Sequence, residues 1–239
     1  MQTYSPTGRL TCPFVGLTLK LAVMWACLPM IATAQNVASG DGKTTTSKVL
    51  SQSPAEPLFD GKTLGGWNGD PKWFRVENGS IVAGSLKEKI PHNQFLCTDK
   101  EYGDFELTVQ AKLVGQGNNA GVQFRTKRIP NDTEVMGYQA DIGFVEKGTC
   151  WGALYDESRR RRFLAESPEI ALQAVKRRQW NELKVIARGK RIQIFLNGTQ
   201  TVDFTETDTS IPVRGVIGLQ VHSGPPLEAH YRNLRIREL

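Results

Sequence analysis

Three short stretches of the chain set hydrogen-bonding side chains at alternate positions against an apolar set. "AGVQFRT" (120–126) carries Gln123 and Arg125 opposite Ala120, Val122 and Phe124. "GYQADIG" (137–143) carries Gln139 and Asp141 opposite Tyr138, Ala140 and Ile142. "LQVH" (219–222) carries Gln220 and His222 opposite Leu219 and Val221. In an extended chain, residues two apart share a face, so each pair shares the side away from the apolar set. An ordinary solvent face favours Lys, Glu, Thr and Ser. Planar amides, a carboxylate, a guanidinium and an imidazole instead donate and accept in fixed geometry. Such groups grip vicinal hydroxyls, which donate and accept at once, and the chemistry they suit is sugar recognition.

Aromatic faces cover the C–H patches of a sugar ring, and Trp67, Trp73, Trp151 and Tyr155 are the candidates for such platforms. Taken singly, each fits a plug at the end of a sandwich better than a platform. "CWGALYDESRRRR" (150–162) follows closely behind the Gln139–Asp141 stretch. It is expected to fold over the polar face as a lid carrying Asp156, Glu157 and Arg159, the alternative being a surface loop with local ion pairs of little energy.

The elements that must position these groups are strands. After residue 58 the dominant period is two: "FELTVQAKL" (105–113), "LKVIARG" (183–189), "RIQIFLNG" (191–198), "RGVIGLQVH" (214–222) and the closing "AHYRNLRIREL" (229–239) all alternate. Asn78-Gly79 and Asn197-Gly198 read as hairpin turns. Only "SPEIALQAVKRRQW" (167–180) has room for a helical turn or two. The fold class is therefore all-β, an antiparallel two-sheet β-sandwich forming one domain.

Ahead of that domain lie two other segments. Residues 1–34 pair Arg9 and Lys20 with the apolar run "LAVMWACLPMIATA", ending small-x-small at Ala32-Thr33-Ala34. This predicts a secretory signal peptide cleaved after Ala34. The run is short of the roughly 20 apolar residues a bilayer span needs, so no stable membrane insertion is expected after cleavage. Residues 35–55 are Ser-, Thr- and Gly-rich and read as a flexible linker, leaving 56–239 as the domain. A secreted or periplasmic location follows.

Of the formal charge of +6, the signal holds two positives and no acids. Four basic residues sit together at Arg159–Arg162. A nucleic-acid surface needs basic residues spread along a face, so no nucleic-acid partner is expected. Cys97 and Cys150 are the two cysteines beyond the signal, and either a single pair or two separate buried thiols fits. "GQGNNA" (115–120) resembles a dinucleotide fingerprint, but a strand follows it where a helix is required. The three histidines are dispersed and "DFTETDTS" (203–210) lacks the glycine of a calcium loop. No cofactor is called for, and a divalent metal is left open.

Direct glycoside hydrolysis normally uses two carboxyl groups, and the Gln139–Asp141 strand supplies one. A single base suffices for another route: where the sugar carries a ketone at C3, the C2 proton is acidic, and its removal allows the C1 substituent to leave by elimination. In order along the chain, "PLFDGKTLGGW" (57–67), "WFRVENGSIVAG" (73–84), "LCTDKEYGDFELTVQAKL" (96–113), "NNAGVQFR" (118–125), "GYQADIG", "WGALYDE" (151–157), "WNELKVIARGKRIQIFLNG" (180–198) and the stretch from Gly215 to Leu239 resemble the 3-keto-disaccharide hydrolase family. The resemblance implies a concanavalin-like jelly roll, bacterial export, and action on 3-keto-glycosides made by a partner oxidoreductase. Many members have Tyr-Glu where this chain has Tyr138-Gln139, and Asn-Ser-Gly where it has Asn119-Ala120-Gly121.

On that reading Asp141 is the base, with His222 as rival base or as acid to the leaving group. Arg125 and Gln123 hold the ketone oxygen or neighbouring hydroxyls, Gln139 and Gln220 orient the ring, and Tyr155 or Trp151 stacks on it. A non-catalytic carbohydrate-binding domain would use the same polar face, and a sandwich without a ligand is the third class.

Overall fold

The computed structural model describes residues 54–239. The expected signal peptide, and the expected linker apart from Pro54 and Ala55, lie outside the described residues. In chain order the strands are β1 (Glu56–Pro57), β2 (Trp67–Asn68), β3 (Phe74–Glu77), β4 (Ser80–Ser85), β5 (Gln94–Tyr102), β6 (Phe105–Gly115), β7 (Asn119–Arg128) and β8 (Val135–Val145). They continue as β9 (Gly148–Thr149), β10 (Leu154–Glu157), β11 (Phe163–Ala165), β12 (Asn181–Arg188), β13 (Arg191–Leu196), β14 (Thr199–Thr205), β15 (Gly215–Val221) and β16 (Leu227–Glu238). The single helix among the described residues, α1, spans Glu169–Ala174, inside the stretch expected to hold a helical turn.

Two antiparallel sheets result. One runs β14-β13-β12-β6-β16-β4-β3, with β1 added on β16. The other runs β11-β10-β8-β7-β15-β5-β2, with β9 added on β8. The Asn-Gly pairs turn the β3–β4 and β13–β14 hairpins: Asn78 and Gly79 have φ of 48° and 71°, Asn197 and Gly198 of 48° and 84°. Two successive residues at positive φ match the right-handed twist of the strands they join.

The core lies between the sheets. From the first sheet come Ile81, Leu107, Val109, Val185, Ile194 and Tyr231; from the second come Val122, Phe124, Tyr138, Ile142, Leu154 and Leu219, all buried. Each such aliphatic or aromatic side chain contributes about 1.5–3 kcal/mol on leaving water. Because the side chains alternate, the residues between these on β7, β8 and β15 are forced to the outer face of the second sheet. Register then fixes the neighbours: Asp141, Gly121 and Gln220 lie in one row, and Gln139, Gln123 and Gly218 in the next. The molecule is a jelly-roll sandwich: the two antiparallel sheets are those the alternation predicts, and the jelly roll is the form the family resemblance implies. Among the described residues no helix is long and apolar enough to cross a membrane.

The outer face of the second sheet is roofed. The far end of the β7–β8 hairpin bends across it, so that Val135 packs on Phe95, Cys97 and Val216. Arg128 Nη2 fastens the hairpin by donating to the carbonyl oxygens of Phe95 (3.1 Å) and Asn68. Glu134, beside Val135, accepts hydrogen bonds from Ser158 and Asn93.

Candidate active site

Under that roof a chain of hydrogen bonds runs across two strands. Thr126 Oγ1 lies 3.2 Å from Gln123 Oε1; Gln123 Nε2 donates to Gln139 Oε1 at 2.5 Å; Gln139 Nε2 donates to Asp141 Oδ1 at 3.2 Å. The same Oδ1 takes the Ile142 amide hydrogen at 3.0 Å, and the Cys150 thiol also hydrogen-bonds the carboxyl. Gln123, Gln139, Asp141 and Gln220 are all buried. Glycine makes the crowding feasible: a Cβ on Gly121 would overlap Cδ and Oε1 of Gln139, which lies flat across that position.

Burial is the main influence on Asp141, and the Glu157 charge adds to it. The hydrogen bonds from Ile142, Cys150 and Gln139 pull the other way, and the net result is a pKa pushed up to about 7. Glu157 is also raised to about 7, first by burial and then by the Glu134 charge; Gln220 Nε2 donates to it at 3.1 Å. Glu134 is itself raised, again mainly by burial. Three carboxyl groups thus converge on one face, two of them poised to exchange protons near neutral pH.

His222 lies on this face one row beyond Gln220, and its backbone N–H donates to Asn119 O at 3.3 Å. It lines a small crevice with Asn118, Asn119 and Ser223. Its Nδ1 is 2.7 Å from Ser223 O, and a carbonyl can only accept, so Nδ1 carries the hydrogen and Nε2 presents the free lone pair when the ring is neutral. Two buried acceptors on the face, Gln220 Oε1 and Asn119 Oδ1, receive no hydrogen bond from the protein.

The other expected site residues are placed differently. Arg125 leaves the face. The register between β7 and β8 slips between Phe124 and Lys127, Arg125 takes φ of 49°, and the bulge swings its side chain away. Its guanidinium donates to Gly103 O (3.0 Å), Gly189 O (2.5 Å) and Asp104 Oδ1 (2.9 Å), clamping loops at the sandwich end. Thr126 takes its place beside Gln123.

The expected lid is a strand. β10 pairs with β8, Tyr155 opposite Gln139 and Asp156 opposite Tyr138. Alternation therefore splits the segment. Tyr155 and Glu157 join the polar face, whereas Asp156 turns inward to meet Arg159 at 2.8 Å and Arg160. Arg159 also lies over the Tyr138 ring, 4.5 Å from its centroid, so it is engaged in packing rather than reaching the face. Arg160 continues to Glu206 at 2.6 Å. Burial tends to raise Glu206, but Arg160, Tyr138 and the Asp208 amide outweigh it and hold Glu206 down at about 2. Trp151 is a core residue, 2 % exposed, with no free face for a sugar. Tyr155 remains half-buried and packs edge-on against Phe163.

Two participants escape sequence reasoning. Glu134 reaches the face only because the hairpin bends, and the Cys150 thiol reaches Asp141 only through a turn; neither contact leaves a periodic trace. Gly121 and Gly218 do leave one, since glycines at i−2 from Gln123 and Gln220 mark where the face must stay open. Cys97 and Cys150 are both free thiols. Among the described residues, no three His, Cys, Asp or Glu side chains are arranged to hold a metal ion.

Comparison with solved structures gives the same architecture. A provisionally named glycosyl hydrolase of Parabacteroides distasonis ATCC 8503 aligns over 78% of this chain and 100% of its own, with 22% identity and a TM-score of 0.59. The carbohydrate-binding module CBM66 of Bacillus subtilis aligns over 72% and 96%, with 17% identity and a TM-score of 0.55. A Bacillus licheniformis beta-glucanase aligns over 78% and 99%, with 14% identity and a TM-score of 0.54. At such identities the likeness is one of fold. No curated protein matches the chain. Residues 54–237, nearly the whole described domain, match the carbohydrate-active family described as the 3-keto-alpha-glucoside-1,2-lyase-like domain, and the chain belongs to that family.

Proposed function

We propose that this domain cleaves the glycosidic bond of 3-keto-glycosides by elimination across C2–C1, followed by hydration. The observation that carries the reading is the pairing of a buried carboxyl group near its neutral point with two unsatisfied acceptors, Gln220 Oε1 and Asn119 Oδ1, on the same face. Leaving a buried acceptor unpaired costs about 1–3 kcal/mol, and hydroxyl hydrogens of a bound sugar would recover it.

Asp141 takes the C2 proton, made acidic by the neighbouring ketone. The second N–H of Gln123 or Gln220 stabilises the enolate oxygen. The C1–O bond breaks, and the departing oxygen receives the Nε2 proton of His222, which enters this step as the imidazolium and leaves it neutral with Nδ1 still bonded to Ser223 O. Water then adds across the C1–C2 double bond: its hydroxyl goes to C1, Asp141 returns a proton to C2 and His222 recovers one from the water. The net change is hydrolysis, and both groups are reset. The hairpin carrying Glu134 and Val135 must lift to admit the ring, because the polar face is closed beneath it.

The ketone must be supplied by an oxidoreductase acting on the parent glycoside, and the leader expected at residues 1–34 would place the domain outside the cytoplasm. Incubating Asp141→Asn and the parent protein with a 3-keto-glucoside and an ordinary glucoside tests the mechanism. Turnover of the keto sugar alone, lost in the variant while the thermal transition persists, is the expected result; undiminished release by the variant would remove Asp141 from its role. A second reading has one observation behind it. Gln139 places a neutral amide beside Asp141, which suits a domain that binds saccharide without cleaving it; sugar-dependent stabilisation with no turnover would select it.

A further inference from the structure

A cavity of about 510 Å³ opens beside the polar face, between β9, β11 and α1. Its inner end is formed by Cys150 and Ala153. Cys150 hydrogen-bonds the Asp141 carboxyl, and the Ala153 carbonyl accepts the Asp141 amide hydrogen at 3.0 Å. The cavity therefore ends one side chain away from the group that would take the C2 proton. A glycoside with C1 over Asp141 has its leaving group within reach of this opening.

The lining states what that group should be. Val145 (51% exposed), Leu172 (44%) and Phe163 (37%) are three of the eight large apolar side chains exposed among the described residues, and all three line this one cavity. Phe163 extends the aromatic wall begun by Tyr155, with ring centroids 5.2 Å apart. The hydroxyls that reach inside are already committed: Ser167 donates to Trp151 O at 2.7 Å and Thr149 to Gly143 O at 2.7 Å. The charged lining residues Lys147, Glu166 and Glu169 are exposed. Those three charged groups are the partners a second sugar would find, all of them exposed; the wall formed by Cys150, Ala153, Val145, Phe163 and Leu172 offers hydroxyls no such partner, and a flat apolar group would cover it. The volume falls within the range that holds small ligands.

We infer that this cavity is the leaving-group subsite and that it selects glycosides with an aromatic or similarly flat apolar aglycone over disaccharides. The inference rests on the elimination reading for its substrate but not for its binding preference. Kinetics with the 3-keto forms of phenyl glucoside, methyl glucoside and a glucose disaccharide should give the phenyl compound a KM about tenfold below the other two. Val145→Asp and Leu172→Asp should erase that advantage and leave the methyl compound unchanged. Equal KM for phenyl and methyl compounds, or an advantage that survives both variants, overturns the subsite.

A second arm separates the subsite from the reaction. Asp141→Asn is titrated calorimetrically with the unoxidised phenyl and methyl glucosides in both anomeric forms. Tighter binding of a phenyl compound, lost in Asp141→Asn/Leu172→Asp, upholds the subsite even where no keto sugar is turned over. Absence of any phenyl preference in this arm overturns the subsite even where keto sugars are cleaved.

Discussion

Gln139 donates its amide hydrogen to Asp141 Oδ1 at 3.2 Å, two residues along the same strand, while its own Oε1 accepts from Gln123 at 2.5 Å. The amide is thereby oriented with its donor toward the acid. A neutral donor favours the ionised form of Asp141, against burial, which favours the protonated form. Gln139→Glu reverses the first influence. Two carboxyl groups at that separation in a buried site cannot both ionise readily, so they would share a proton and Asp141 would hold its proton to higher pH. The rising limb of the kcat/KM profile for a 3-keto-glucoside should move upward by about one pH unit or more. A limb that stays in place would mean that Asp141 is not the group being titrated.

The same burial makes a statement about stability. Asp141 has its ordinary pKa of 3.8 when unfolded and about 7 in the folded protein. Below about pH 4 both states hold the proton. Between there and pH 7 the unfolded chain releases it and the folded one does not, so stability falls as pH rises through that window. Glu157, also raised to about 7, acts in the same direction. Asp141→Asn removes one of these costs, on the order of a few kcal/mol once pH exceeds 7. The melting temperature of the variant relative to the parent should therefore rise from pH 5 to pH 8. A difference that is flat across that range would contradict the assignment.

Gly121 sits in the row between Asp141 and Gln220, and Gln139 lies over it. Gly121→Ala has no room to accommodate its methyl group except by displacing the Gln139 amide. Overpacking of this kind costs about 1–3 kcal/mol. It should also break the link from Gln123 to Asp141, so that kcat falls with the melting temperature. Gly198→Ala, which meets no neighbouring atom but sits at φ of 84°, is the control: it should lower stability through backbone strain and leave kcat intact. Equal effects of the two on kcat would deny Gln139 a positioning role.

The strands were legible because alternation is a local property. Phe105–Leu113, Ala120–Phe124, Tyr138–Ile142 and Ile217–Val221 each declare their buried side in the sequence itself, and the Asn-Gly pairs declare two hairpins. The same rule put Gln123, Gln139, Asp141, Gln220 and His222 on one face. It failed where the backbone departs from period two without a glycine to announce it. Arg125 at positive φ is such a place, since nothing in "QFRTK" signals a bulge. It failed again at residues 151–159, whose charges suggested a lid or loop although Leu154–Glu157 form a strand that sends Glu157 one way and Asp156 the other. Contacts made through bends, such as Glu134 over the face and Cys150 against Asp141, depend on residues distant in the chain and have no sequence period to reveal them.

Arg125 supplies the sharpest test of that distinction, because its expected role was at the ligand and its observed partners are Gly103, Gly189 and Asp104. The guanidinium is buried while Asp104 is partly exposed, so deletion frees two carbonyl oxygens and one carboxylate that water can partly reach. Arg125→Ala should cost about 2–4 kcal/mol of stability, seen as a lower urea midpoint, with KM for substrate unchanged in the folded fraction. Lysine cannot fork to three diverging acceptors and should recover only part of the loss. Glycine loses the same bonds but relieves the positive φ, which costs a non-glycine residue about 1–2 kcal/mol. Arg125→Gly should accordingly be less destabilising than Arg125→Ala. An alanine variant that keeps its stability and raises KM would instead return Arg125 to the substrate and show that the bulge does not persist in solution.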